Sequence, residues 1–147
     1  MRAHLKTYRT PLKRFLNEYM SDSRNLNDKE RSDLKVSFDF AVTMVHGLLG
    51  TAAFRVLDKT GEPAESVVYR ALLEAQLLAC SWIDRRKGPD AQRARREIAG
   101  LFRDEGFMDS IQRATGDRSR TLKRVRDIVA ALQRAGATVR VPHDLNT

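Results

Sequence analysis

The chain is 147 residues long, with 41% hydrophobic and 31% charged residues but only eight glycines and four prolines. That length supports one buried core, and so few turn residues fit a helical protein better than a sandwich or barrel. A formal charge of +8 and a pI of about 10.1 point towards a polyanionic partner, and no apolar run is long enough to span a bilayer. The single cysteine cannot form an internal disulfide, and the N-terminus has no apolar signal-peptide core. An intracellular, cytoplasmic protein is therefore expected.

Thr10-Pro11 opens the first predicted helix, with threonine as the cap and proline at the first helical position. Leu12, Phe15, Leu16, Tyr19 and Met20 then recur at helical spacing. After a polar break, Asn27 and Glu30 have the spacing of a capping box for a second helix. Its apolar stripe is Leu34, Phe38, Ala41, Val42, Val45 and Leu49, widened by Phe40, Met44 and Leu48, and Gly50 is a natural αL stop. Asp58 to Pro63 has the composition of a loop, and a third helix is expected to start near Glu65 or Ser66. Val68, Ala71, Leu72, Ala75, Leu78, Ala79 and Trp82 line one face of it, and the alanines permit a close helix neighbour.

Gly88-Pro89 marks the next boundary, before a helix with Ala94, Ile98, Leu101 and Phe102 inward. Phe107, Met108 and Ile111 form a short amphipathic piece. Ser119 is the expected cap of a last helix carrying Leu122, Val125, Ile128, Val129 and Leu132 and ending at Gly136. The pattern predicts an all-α bundle of five or six helices, with a central antiparallel pair at about 28–49 and 66–83. It makes residues 1–147 one domain, with a loosely ordered tail over about 137–147.

The charge is regional. Between Arg85 and Arg126 thirteen Lys/Arg face six acids, which places +7 of the +8 there. Arg118, Arg120, Lys123, Arg124 and Arg126 are the candidate nucleic-acid contacts, and the backbone N–H groups of Thr115–Thr121 at a helix start are a candidate phosphate site. Phe102 and Phe107 sit at core spacing, so contacts would be to phosphates and would weaken with salt. Arg55 and Arg70, in apolar surroundings, are candidate partners of Glu65 or Glu74 in structural ion pairs.

No catalytic set emerges. His4, His46 and His143 are dispersed, and His46 reads as a packed core histidine. Cys80 reads as a small core residue, the glycines are isolated, and no metal-ligand spacing or cofactor motif occurs.

Four clusters nevertheless carry a resemblance: Phe15–Met20; Phe38–Val42 with Gly50–Arg55; Tyr69–Glu74; and Phe107–Ile111 with Ala114–Gly116 and Arg120–Val125. In order and character they resemble the helical C-terminal half of the domain of unknown function 262 family, the GmrSD-like restriction endonucleases used against phage. In that family a ParB-like domain with an Asp-Gly-Gln-Gln-Arg type signature carries catalysis and nucleotide binding, and some members add an HNH domain. Neither pattern occurs here, so no family catalytic residue carries over. Where the family often has asparagine near the start of the third helix, this chain reads Val68-Tyr69-Arg70. The resemblance implies a non-catalytic helical module that contacts DNA and packs on a separately encoded ParB-like domain. The alternatives are a stand-alone module whose basic face binds an acidic protein, and an inactive gene fragment.

Overall fold

The structure, a computed structural model, describes residues 12–143, so the expected cap Thr10 and His4 lie outside the described residues. Six α-helices follow in order: α1 (Leu12–Asp22), α2 (Asp28–Leu49), α3 (Arg70–Ser81), α4 (Ala91–Leu101), α5 (Glu105–Gln112) and α6 (Arg118–Arg134). Among the described residues there is no strand, only two isolated β-bridges, Leu57 with Pro63 and Ile83 with Val139. The fold is the all-α bundle that the periodicity predicts.

The helix starts are chemically specified. At α2 the expected capping box forms: Glu30 N–H donates to Asn27 Oδ1 and Asn27 N–H donates to Glu30 Oε2, both at 2.9 Å. Asp90, Asp104 and Asp117 cap α4, α5 and α6 by accepting from Arg93, Phe107 and Arg120 N–H. For α6 this corrects the expected cap. Ser119 lies inside the first turn and its hydroxyl donates to the Asp117 carboxylate.

Packing is centred on α3 and α6: α3 packs on α2 and on α6, and α6 packs also on α4 and α5. Ala71, Ala75 and Ala79 are buried, so the small-residue face serves the close approach it predicts. The α2–α3 pair is antiparallel. Tyr69, just before α3, donates its N–H to Phe54 O beyond the C-terminal end of α2, while Arg85, just past α3, stacks 4.6 Å over the Phe40 ring in mid-α2. Val45, Leu48, Leu72, Leu78, Ile98, Phe107, Ile111, Val125, Ile128 and Leu132 belong to one contiguous core.

Three boundaries differ from the pattern, each for a local reason. The third helix starts at Arg70 rather than near 66. Hydrogen bonds from Ala64 N to Val56 O and from Tyr69 N to Phe54 O hold both ends of the preceding segment against residues 54–56, and Val68 is exposed. The tail is not loose over 137–141. Asp84 N–H donates to Thr138 O, Thr138 N–H to Lys87 O and Arg140 N–H to Trp82 O, and Val139 and Val141 pack against the core. The apolar stripe of α2 meets the core only over its second half. At 22 residues against 12, α2 outruns α3 by about 15 Å at 1.5 Å per residue.

Among the described residues two non-glycine residues hold positive φ, Phe54 at 64° and Ala114 at 42°. Phe54 is pinned from both sides, donating its N–H to Gln76 Oε1 and accepting from Tyr69 N–H. Ala114 is exposed and sits in the α5–α6 turn, where Asp117 N–H donates to its carbonyl. A Cβ in this region costs on the order of 1 kcal/mol, part of which a glycine returns as unfolded-chain entropy. Ala114→Gly should therefore raise stability by a few tenths to about 1 kcal/mol in urea unfolding, with the slope unchanged.

Candidate nucleic-acid interface

The five basic residues expected to contact nucleic acid separate into two groups. Arg124 is fully buried. Its Nη1 donates to Ser110 O at 3.1 Å, and its Nη2 donates to Thr115 O at 2.7 Å, Thr121 Oγ1 at 3.0 Å and Glu74 Oε2 at 3.2 Å. One guanidinium thus joins α3, α5, the α5–α6 turn and α6. As a phosphate contact Arg124 is corrected to a structural residue, because no phosphate can reach it.

Arg120, one turn earlier on α6, does related work at the rim. It pairs with the Asp109 carboxylate at 2.5 Å and donates to the carbonyls of Asp109 and Arg113. The last carbonyls of a helix lack intrahelical donors. Here Arg124 supplies one to Ser110 O and Arg120 one to Arg113 O just past α5, while Asp109 O already accepts from Arg113 N–H. Lys123 is held by Asp127 at 2.7 Å, with Asp104 at 3.7 Å, and these carboxylates raise its pKa. The remaining two, Arg118 and Arg126, are exposed.

The candidate phosphate site at Thr115–Thr121 is already filled. The Asp117 carboxylate accepts from the Ser119 hydroxyl and from Arg120 N–H, and these bonds lower its pKa. A carboxylate thus occupies the position an anion would take at the start of α6, and it repels a second anion. Phe102 and Phe107 pack edge-to-face with centroids 5.5 Å apart, and Phe107 is buried, so neither offers a face to a base.

A more open cationic surface lies between α4 and α6. A groove of about 590 Å³ is lined by Arg93, Arg96, Glu97, Gly100 and Leu101 of α4, by Asp104, and by Lys123, Asp127 and Arg134 of α6. Its acids are engaged. Arg134 binds Glu97 at 2.6 Å and lowers its pKa, and Lys123 lies between Asp127 and Asp104. Arg93 and Arg96 are exposed, and among the described residues no carboxylate comes within ion-pair distance of either, nor of Arg103 or Arg118. Sequence reasoning passed over Arg93 and Arg96, although the signal was present. With Ala94 and Ile98 inward, positions 93 and 96 share the outer face of the helix.

The candidate structural ion pairs form differently from expectation. Glu74 pairs with Arg124, while Glu65 accepts a 2.7 Å hydrogen bond from the Tyr69 hydroxyl. Arg70 is exposed at the first position of α3 and Arg55 is half-buried, and neither pairs with Glu65 or Glu74 among the described residues. The buried and long-range arginine pairs are instead Arg124–Glu74, Arg95–Glu62, Arg134–Glu97 and Arg140–Asp84. His46 is exposed near the C-terminal end of α2, which corrects its reading as a core histidine. Cys80 is buried, and that burial pushes its thiol up to about 12, which leaves it without thiolate chemistry at neutral pH. Among the described residues no group of His, Cys, Asp and Glu is arranged to hold a metal ion, and no helix is long and apolar enough to cross a membrane.

No protein-family model, curated protein or solved structure matches the chain.

The two groups of arginines are expected to respond differently to substitution. Arg124→Met leaves the Ser110 and Thr115 carbonyls and Glu74 without their donor, and should lower stability by about 3 kcal/mol or more in chemical denaturation. Arg124→Lys should recover only a small part of this, because an ammonium cannot reproduce the planar fork. Arg118→Ala should fall within about 0.5 kcal/mol of the parent.

Proposed function

We propose that the chain is a non-catalytic helical module that contacts nucleic-acid phosphates through the outer face of α4 and the rim of the α4–α6 groove. Arg93 and Arg96 are the principal contacts, with Arg103, Arg118 and Arg126 as outlying ones. The observation that carries this reading is the pairing pattern. Within the segment that holds nearly all the excess charge, Arg120, Lys123 and Arg124 are paired with acids of the protein, as is Arg134 beyond it, whereas Arg93 and Arg96 present exposed guanidinium groups. Guanidinium forks suit phosphate oxygens, and the shortage of exposed aromatics beside them fits backbone contact without base readout.

The resemblance to the GmrSD-like family extends this proposal. A separately supplied ParB-like domain would provide catalysis, and this module would hold the DNA beside it. Val67, Val68 and Leu73 around the start of α3 are exposed apolar side chains suited to docking such a domain. The mixed signs of the groove favour a second reading, in which the partner is a protein with an acidic surface. Glu97, Asp104 and Asp127 stay on the rim beside the arginines, and protein surfaces also carry both signs.

Titrating duplex DNA into the protein at increasing salt separates the two. Phosphate contact predicts a linear fall of log K with log salt, and Arg93→Ala/Arg96→Ala should reduce the slope by about 2 because two counterion-releasing contacts are lost. Absence of binding at low salt, or a slope unchanged in the double variant, would exclude the α4 interface.

A further inference from the structure

Leu34, Phe38 and Val42 follow one another at four-residue intervals on α2 and are 46%, 59% and 41% exposed. At about 100° per residue, Leu34 and Phe38 lie on the same side of the helix as Ala41 and Val45. Those two are each 2% exposed, beneath the rest of the bundle. One apolar face thus runs from Leu34 to Leu49, covered at Ala41, Val45 and Leu49 and bare at Leu34, Phe38 and Val42. Single exposed apolar residues are ordinary, but three in register on one ridge, continuous with a buried face, mark a contact surface.

We propose that this bare ridge is the contact between two copies of the chain, with α2 of the second copy crossing α2 of the first about a two-fold axis near Phe38. Charge selects that occupant. From Asp28 to Val42 there are three cations (Lys29, Arg31, Lys35) and four acids (Asp28, Glu30, Asp33, Asp39), a net −1 in a chain of +8. Two strongly basic copies repel over most of their surfaces, and this arm is a face on which they can meet without opposing positive fields. Acids and cations alternate along the arm, and Lys35 pairs with Asp39 on the same helix, so the contact does not bury a lone charge there.

Geometry agrees with charge. A ridge at i, i+4 and i+8 packs into the matching groove of an identical helix at a crossing angle of about −50°. Such a contact is self-complementary, as a two-fold interface requires. Three apolar side chains supply less than the roughly 800 Å² per partner of a standard interface, so the dimer is weak and depends on concentration.

None of the groove residues comes from α2, and the two contacts respond oppositely to salt. Salt weakens phosphate binding, whereas by screening the repulsion between like-charged copies it strengthens the dimer. Sedimentation velocity on the full chain should show a dimer fraction that rises with protein concentration and with sodium chloride. Phe38→Glu should abolish it without changing helicity by circular dichroism or the affinity for DNA. Val36→Glu, at an exposed position on the opposite side of α2, should leave it intact. A monomer at every concentration and salt, or a dimer that survives Phe38→Glu, would overturn the proposal.

Discussion

The buried guanidinium of Arg124 is the constraint on which the arrangement of α3, α5 and α6 depends. Removing a charge from water carries a penalty of several kcal/mol, which must be offset by partners at good geometry. Here the partners come from four places in the chain: Glu74, Ser110, Thr115 and Thr121. α5 has only eight residues, too few to be stable alone, and its last carbonyls have no donors within the helix. Arg124 from inside donates to Ser110 O, and Arg120 from the rim adds a bond to Asp109 O and reaches Arg113 O, so that together they fix the turn that Ala114 enters with a positive φ.

That constraint changes what the linear charge map means. A count along the chain places +7 between Arg85 and Arg126 and cannot distinguish a guanidinium turned inward from one facing water. On α6 much of the apparent basic face is consumed internally. Arg124 follows Thr121 and Arg120 by three and four residues, which is ordinary spacing for a solvated face. Its burial is decided by Glu74, fifty residues away, a partner that no local pattern reveals. The start of α6 was misread for a related reason. The polar run from Thr115 to Thr121 does describe a helix start, but the capping acid inside the run had already taken the anion position.

The helices themselves were largely legible, because their signals are local. The Asn27–Glu30 box and the alanine face of α3 depend on residues close along the helix and form as expected. α2 ends before Gly50 as expected, though Gly50 takes φ 53° and ψ −128° rather than the expected αL conformation. What was illegible depends on distant backbone. The late start of α3 comes from two hydrogen bonds to residues 54 and 56, and the ordered tail from a clip onto residues 82–87. The uncovered half of α2 is an intermediate case. Periodicity identified the apolar face correctly, but the length of the helix that covers it is set by where α3 begins and ends.

The most direct test of this division between structural and surface arginines is side-chain NMR of ¹⁵N-arginine-labelled protein. The Nη protons of Arg124 should be resolved and slow to exchange with water, and should keep their shifts when duplex DNA is added, while the Nε signals of Arg93 and Arg96 move. Arg124 protons that exchange as fast as those of Arg118, or that shift on DNA addition, would contradict it.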